Sequence, residues 1–217
     1  MPPGRELLIF DLDGTLFHTA PVTVTAVQQT FLKYNLQPPG AQDVTAFFGR
    51  PNTEFDAWVT GFSKDGQGAE VLAAIRRREL ELVSEVGQLY PGVTEVLATL
   101  RASGCSLALC SNGDDPYVSR VLETQRLGPL FDAVRYRGKT GRTKPQMVGD
   151  LLADLVPQHA IVLGDRREDV DAAHLNGLMA IGASYGYGLP DELREADAIA
   201  QAPIDLPRLV NQLIGHL

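Results

Sequence analysis

Short apolar runs recur along the chain and alternate with stretches of helical periodicity. Such runs, when bounded by turn signals, are typical of strands buried on both faces of a parallel sheet. Five runs predict strands, at residues 7–11, 106–110, 133–136, 160–164 and 179–181. Helical patterns predict helices over residues 93–103, 115–125, 146–155 and 169–176. The alternation predicts an α/β fold, in which helices cover both faces of a doubly wound parallel sheet.

One long stretch interrupts this alternation. Residues 20–86 are helical in pattern throughout, and the α/β pattern resumes at Tyr90-Pro91-Gly92. The change of period predicts an α/β core domain formed by residues 1–16 and 88–217. It also predicts an inserted α-helical cap domain formed by residues 17–87.

The composition narrows the class of protein. The 217 residues are 44% hydrophobic and 21% charged, which is ordinary for a globular protein. The net charge of −8 disfavours nucleic acid and anionic membranes as partners. No apolar run approaches the roughly 18 residues of a membrane span, and we expect a cytoplasmic monomer or homodimer. Cys105 and Cys110 lie too far apart along one predicted strand region to pair, so reduced thiols are expected.

Two acids mark the end of the first predicted strand. Asp11 closes the strand, and Asp13 follows two residues later, ahead of Gly14-Thr15. Ligands of open α/β sheets bind beyond the carboxyl ends of the strands, and residues i and i+2 of a strand start on one side of the backbone. Burying two acids is costly unless a cation compensates them. The segment therefore predicts a cation site, and an Asx-type turn is the alternative.

Three further segments follow predicted strands. Ser111-Asn112-Gly113 offers a hydroxyl and backbone N–H groups that suit phosphate oxygens, although such a triplet is also a common turn. Lys144-Pro145 opens a predicted helix. Asp165 ends a strand, and Asp169 lies in the first turn of the next helix, where a carboxylate also suits the helix dipole.

Taken together, these segments resemble the four ordered motifs of the haloacid dehalogenase superfamily. The match consists of Asp11-Leu12-Asp13-Gly14-Thr15, Ser111, Lys144-Pro145, and Gly164-Asp165 with Asp169. The tail, Tyr185-Gly186-Tyr187-Gly188, is similar to the phosphoglycolate-phosphatase-like branch. The resemblance covers essentially the whole chain, and it implies a Rossmann-like core with a small helical cap.

The resemblance implies a role for each acid. Asp11 would be the nucleophile that forms an aspartyl-phosphate, and Asp13 the general acid and then the general base. Mg²⁺ would be held by the Asp11 carboxylate, the Asp13 backbone carbonyl and the Asp165 carboxylate. The dehalogenases of the superfamily lack the second aspartate of the first motif and need no metal, so Asp13 favours a phosphatase.

The remaining motif residues are expected to bind the phosphate group. Ser111, Lys144 and the backbone N–H groups near Leu12 and Asn112 would hold its oxygens. Asp169 would orient Lys144 and the metal ligands without being a metal ligand itself.

The resulting expectation is a Mg²⁺-dependent phosphatase that acts on a small phosphorylated metabolite, with phosphoglycolate as a candidate. A phosphotransferase or sugar-phosphate mutase of the same superfamily is one alternative, against which Thr15 weighs mildly. A catalytically silent protein that binds a phosphate ligand is another, although such a protein need not keep both acids.

Two residues and one segment depart from the family pattern. His18 follows the first motif where many relatives carry an Asp-Ser pair, and it is either a substrate contact or a hinge histidine. Arg50 lies in the predicted cap, where an arginine can pair with a carboxylate or a second phosphate of the substrate. The basic segment 135–144 either steers an anionic substrate or forms a solvated loop.

Overall fold

The computed structural model describes residues 6–62, 66–138 and 141–215, and it contains one parallel sheet of six strands. The strands lie in the order β3-β2-β1-β4-β5-β6. Their bounds are Leu7–Phe10 (β1), Ser106–Ser111 (β2), Ala133–Tyr136 (β3), Ala160–Gly164 (β4), Met179–Ala183 (β5) and Ala198–Ala200 (β6). Because β2 and β3 lie on one side of β1 whereas β4, β5 and β6 lie on the other, the order of the strands reverses at β1, and ligands of such sheets bind at this switch point.

Nine α-helices accompany the sheet in the described part of the chain. They are Ala20–Lys33 (α1), Ala41–Thr45 (α2), Asn52–Gly61 (α3), Gly68–Val86 (α4), Val93–Ala102 (α5), Asp115–Thr124 (α6), Lys144–Leu155 (α7), Arg167–Leu175 (α8) and Leu206–Ile214 (α9). None of these described helices has the length and apolar character of a membrane span. The predicted α/β fold with a parallel sheet is confirmed, whereas β6 and α9 were not predicted.

The two faces of the sheet belong to different apolar clusters. Along β1, Leu8 and Phe10 pack into the cluster that includes residues of α5 and α9. Leu7 and Ile9 point to the opposite cluster, which includes residues of α7 and α8. Both faces of β1 are thus buried, which explains why the strand is apolar at consecutive positions.

Helices α1–α4, which we call the helical insert, follow β1 and precede α5. Within the insert, α4 packs against both α1 and α3. The insert contacts the rest of the chain by hydrogen bonds to its backbone: Asn112 Nδ2 donates to the Gly49 carbonyl at 2.7 Å, and Arg166 donates to the Phe48 carbonyl. The domain boundaries at residues 17 and 87 remain a prediction.

The two cysteines are free and buried, as predicted. Cys110 lies in β2, where burial raises the pKa of its thiol to about 12. Burial also raises the pKa of Cys105. Both thiols are therefore protonated at neutral pH.

Candidate active site

The ends of two strands and the starts of two helices bring four predicted residues together. Asp11 follows β1, Asp165 follows β4, Lys144 begins α7 and Asp169 lies in the first turn of α8. Lys144 Nζ donates to Asp11 Oδ1 at 2.6 Å and to Asp169 Oδ1 at 2.5 Å. The side chains of these three residues are at most 3% exposed. The lysine thus bridges two buried carboxylates at the carboxyl edge of the sheet.

The carboxylate oxygens differ in how they are used. Asp169 Oδ1 accepts a hydrogen bond from Lys144, and Asp169 Oδ2 accepts one from the Arg166 backbone N–H at 3.0 Å. By contrast, Asp11 Oδ2 and Asp165 Oδ1 are buried and lack a hydrogen-bond partner among the described residues. Carboxylate oxygens of Asp11, Asp165 and Asp169 lie within 4.8 Å of one another. Two unpartnered buried carboxylate oxygens in such a cluster fit a hard divalent cation. Because both oxygens of Asp169 already accept hydrogen bonds, this residue is instead suited to positioning Lys144.

Burial dominates the electrostatics of the cluster. It raises the pKa of Asp11 well above its usual range, although Lys144 opposes the shift. Burial raises the pKa of Asp165 to about 7, with Asp169 adding to the effect. Burial alone would lower the pKa of Lys144, but Asp11 and Asp169 outweigh it and the pKa lies above its usual range. Lys144 is therefore stabilised in its charged form, whereas the raised pKa values of Asp11 and Asp165 indicate that Lys144 does not fully compensate these two carboxylates.

Glycines allow two loops to close over Asp165. Gly14 has φ +83°, and a Cβ atom there would lie 2.2 Å from Asp165 Oδ2. A Cβ atom on Gly188 would lie 1.8 Å from the Asp165 carbonyl oxygen. In the second of these loops, the Tyr187 N–H donates to Asp165 Oδ2 at 2.7 Å. The glycines of the first motif and of the tail thus allow both loops to approach the same residue, Asp165.

Asp13 lies beside this cluster and is held by two hydroxyl groups. Its Oδ1 accepts from Thr19 Oγ1 at 2.6 Å and from the Tyr117 hydroxyl at 2.5 Å. Burial raises the pKa of Asp13, and the two hydroxyl donors oppose the shift. The sequence indicated neither Thr19 nor Tyr117, because Tyr117 lies 104 residues away and only the fold brings it to Asp13.

The predicted phosphate-binding residues lie at the end of β2 and in the loop after β1. Ser111 is buried, and its Oγ accepts from the Gly113 N–H at 3.0 Å. Asn112 Nδ2 donates to Glu168 as well as to the insert, whereas its buried Oδ1 lacks a partner among the described residues. The Leu12 carbonyl accepts from the Phe17 N–H at 2.8 Å, which folds the loop after β1 into a tight turn.

A cavity of about 620 Å³ opens above Asp11 and Asp13. The insert contributes both apolar and charged side chains to its wall. They are Phe47, Phe48, Phe55, Leu80, Arg50, Asp56, Arg76, Arg77 and Glu79. The wall therefore combines a surface for substrate carbon atoms with charged groups.

Glu79 is a cavity residue that the sequence did not indicate. It accepts a hydrogen bond from Thr23, and burial raises its pKa to about 7. On a helix pattern alone, Glu79 belongs to the polar face that would be exposed in isolated α4. Only the packing of α4 against α1 and α6 brings it to the cavity wall.

The residues that depart from the family pattern lie in different places. Arg50 lines the cavity, and its guanidinium is 3.4 Å from Glu54. His18 is exposed, and its ring centroid lies 5.2 Å from that of Tyr90 and 6.3 Å from that of Tyr187. The cavity lining in the described part of the chain does not include His18, and both interpretations of this residue stay predictions.

Two of the five basic residues in segment 135–144 form ion pairs with acids of α7. Arg135 donates to Asp154, and Arg142 lies 3.1 Å from Asp150. Lys139 lies outside the described residues. These ion pairs favour the solvated loop over substrate steering.

The described structure places a buried carboxylate cluster at the switch point of a parallel sheet, and the comparison with known families identifies the class of protein as a hydrolase. The model of the haloacid dehalogenase-like hydrolase family matches residues 6–177, and the chain belongs to this family. The predicted family is therefore confirmed.

Individual relatives agree with this assignment. The chain is 29% identical over 196 residues to a phosphoglycolate phosphatase of Pseudomonas putida, covering 85% of this chain and 72% of the relative. It is 30% identical over 195 residues to that of Pseudomonas fluorescens, covering 84% and 70%. A crystal structure described as a predicted phosphoglycolate phosphatase from Haemophilus somnus superposes with a TM-score of 0.87 at 22% identity, covering 95% of this chain and 98% of the other. The predicted phosphatase class of enzyme is thus confirmed.

Proposed function

We propose that this phosphatase is Mg²⁺-dependent and hydrolyses a small phosphorylated metabolite through an aspartyl-phosphate on Asp11. The observation that carries the proposal is the buried ion pair of Asp11 with Lys144 beside the unpartnered oxygen of Asp165. A nucleophilic carboxylate, a cation for phosphate oxygens and a metal ligand would then meet at Asp11, which lines the cavity. Phosphoglycolate is the candidate substrate because relatives named phosphoglycolate phosphatase match the chain.

The proposed reaction has two steps. In the first, an Asp11 oxygen forms a bond to phosphorus, the bond to the ester oxygen breaks, and Asp13 gives its proton to the departing oxygen. In the second, Asp13 takes a proton from water, whose oxygen attacks phosphorus and releases phosphate from Asp11. Lys144 and Ser111, with backbone N–H groups near Leu12 and Asn112, would hold the phosphate oxygens.

The metal would be held by the carboxylates of Asp11 and Asp165 and by the Asp13 backbone carbonyl. When bound, Mg²⁺ supplies the positive charge that allows one anion to approach another. Asp169 is the residue that keeps Lys144 in place, since both of its oxygens are already used.

Residues 17–87 would act as a cap over this site. Phe48 and Gly49 contact Arg166 and Asn112 of the core through their backbone carbonyls. A cap held by such contacts excludes water and presents Arg50 and Glu79 to the leaving group.

The test is phosphate release from a panel of phosphate esters that includes phosphoglycolate, with Mg²⁺ or with EDTA. We expect turnover that EDTA abolishes and that Asp11→Asn eliminates. The matched control is Asp171→Asn on α8, where the aspartate is exposed and the activity should be retained. Transfer of phosphate to an added sugar would instead indicate a mutase, and ligand binding without release would indicate a silent protein.

A further inference from the structure

Two hydroxyl groups converge on a single oxygen of Asp13. The Tyr117 hydroxyl donates to Oδ1 at 2.5 Å, and Thr19 Oγ1 donates to the same oxygen at 2.6 Å. An oxygen that already accepts two hydrogen bonds is the poorer site for a proton. The proton of an Asp13 carboxylic acid therefore belongs on Oδ2.

Tyr117 is fixed from both sides in this arrangement. It lies in the first turn of α6, just after the loop that ends β2. Its ring meets that of Phe17 edge-to-face, with centroids 6.4 Å apart, and Phe17 ends the tight turn that carries Asp13. The hydroxyl at the end of this fixed ring is the group that donates to Asp13.

We propose that Tyr117 is a positioning residue, which orients the Asp13 carboxyl group so that Oδ2 delivers its proton to the oxygen of the leaving group. The inference rests on the proposed function, because it presupposes that Asp13 is the general acid. Asp13, Thr19 and Tyr117 all line the cavity, so the hydroxyl pair acts at the place where the leaving group would lie.

The chemical step predicts which substrates depend on Tyr117. As the bond from Asp11 to phosphorus forms, the electron pair of the breaking bond moves to the ester oxygen, and Asp13 Oδ2 gives its proton to that oxygen. Tyr117 keeps its own proton throughout. An alkoxide leaves poorly without this proton, whereas 4-nitrophenolate is stable enough to leave without it.

The experiment compares kcat/KM for two esters, 4-nitrophenyl phosphate and the alkyl phosphate that the wild type hydrolyses fastest. This parameter reports the step in which the leaving group departs. For Tyr117→Phe, we expect kcat/KM to fall about tenfold or more with the alkyl ester and to stay within about twofold with the aryl ester. The matched control is Tyr34→Phe, because the Tyr34 hydroxyl also donates to a carboxylate, that of Glu70, but does so on the exposed surface of the insert.

An equal fall for both esters, or no fall for either, would overturn the proposal. Thermal melting establishes that Tyr117→Phe is folded, and Thr19→Val provides a second variant, which removes the other donor and should spare the aryl ester in the same way. A failure of the proposed function has a different signature, since the wild type would then release phosphate from neither ester. That result would remove the role of Asp13 as well.

Discussion

At the scale of single residues, the site depends on matching a few buried charges. Lys144 is the single buried cation that the described structure places in contact with Asp11 and Asp169. Removing one partner from a buried ion pair leaves an uncompensated charge, which typically costs about 3–5 kcal/mol. Exposed pairs such as Arg142 with Asp150 contribute far less, about 0–1 kcal/mol.

Lys144→Met is therefore expected to abolish phosphate release and to lower the free energy of unfolding by a few kcal/mol. Urea denaturation in EDTA measures the stability without a contribution from bound metal. The control is Arg142→Met, for which a change within about 1 kcal/mol is expected. A Lys144 variant as stable as the control would contradict the buried network.

Glu79 leads to a prediction about pH. An ordinary glutamate deprotonates near pH 4.5, whereas Glu79 in the folded chain does so at about 7. Because the unfolded chain loses this proton first, the group destabilises the fold increasingly as the pH rises from about 4.5 to about 7. Glu79→Gln should therefore raise the free energy of unfolding at pH 8 and have little effect at pH 4.5.

The measurement is urea denaturation of Glu79→Gln at both pH values. Glu95→Gln on α5 serves as the control, because that glutamate is exposed and should give the same small change at each pH. A Glu79 variant whose effect does not depend on pH would show that the carboxyl group titrates normally.

At the scale of elements, the strands and helices that could be predicted are those with a distinct local pattern of apolar and polar residues. β1 and β4 are apolar at consecutive positions because both of their faces are buried, so the strands and the acids at their ends were recognisable together. β6 has three residues on the sheet edge, which is too short for a distinct pattern. Tyr117 and Glu79 escaped detection because their contacts join segments that are distant along the chain. Thr19 lies only six residues from Asp13, but no local pattern distinguishes it from its neighbours.

Helix α9 gives a test at this scale. Leu209 is 5% exposed and belongs to the cluster that covers one face of the sheet. Leu209→Ala should lower the free energy of unfolding by about 2–5 kcal/mol, because the lost side chain leaves a cavity. Leu175→Ala on α8 is the control, since that side chain is 74% exposed and its loss should change stability by no more than about 0.5 kcal/mol.

At the scale of the whole molecule, a bound cation would join segments that are distant along the chain. Asp11 precedes the helical insert, whereas Asp165 follows α7 and is enclosed by the loops of Gly14 and Gly188. A ligand that binds only the folded chain stabilises it by about 2.7 kcal/mol at a hundred times its dissociation constant.

Adding MgCl₂ to EDTA-treated protein should therefore raise the melting temperature in a concentration-dependent way. Asp165→Asn should abolish this shift, because it removes a proposed metal ligand. Asp171→Asn should retain it. A shift of equal size in both variants would place the stabilising cation elsewhere.

The burial of both native thiols has a practical consequence for testing whether the helical insert moves relative to the sheet. Because neither Cys105 nor Cys110 presents a thiolate at neutral pH, maleimide reagents should not react with them in the folded protein. A cysteine introduced on the exposed surface of the insert and a second one on the core would then be the reactive sites for a pair of fluorophores. A change in energy transfer between those fluorophores during turnover would show that the insert moves, and the native cysteines could be left in place.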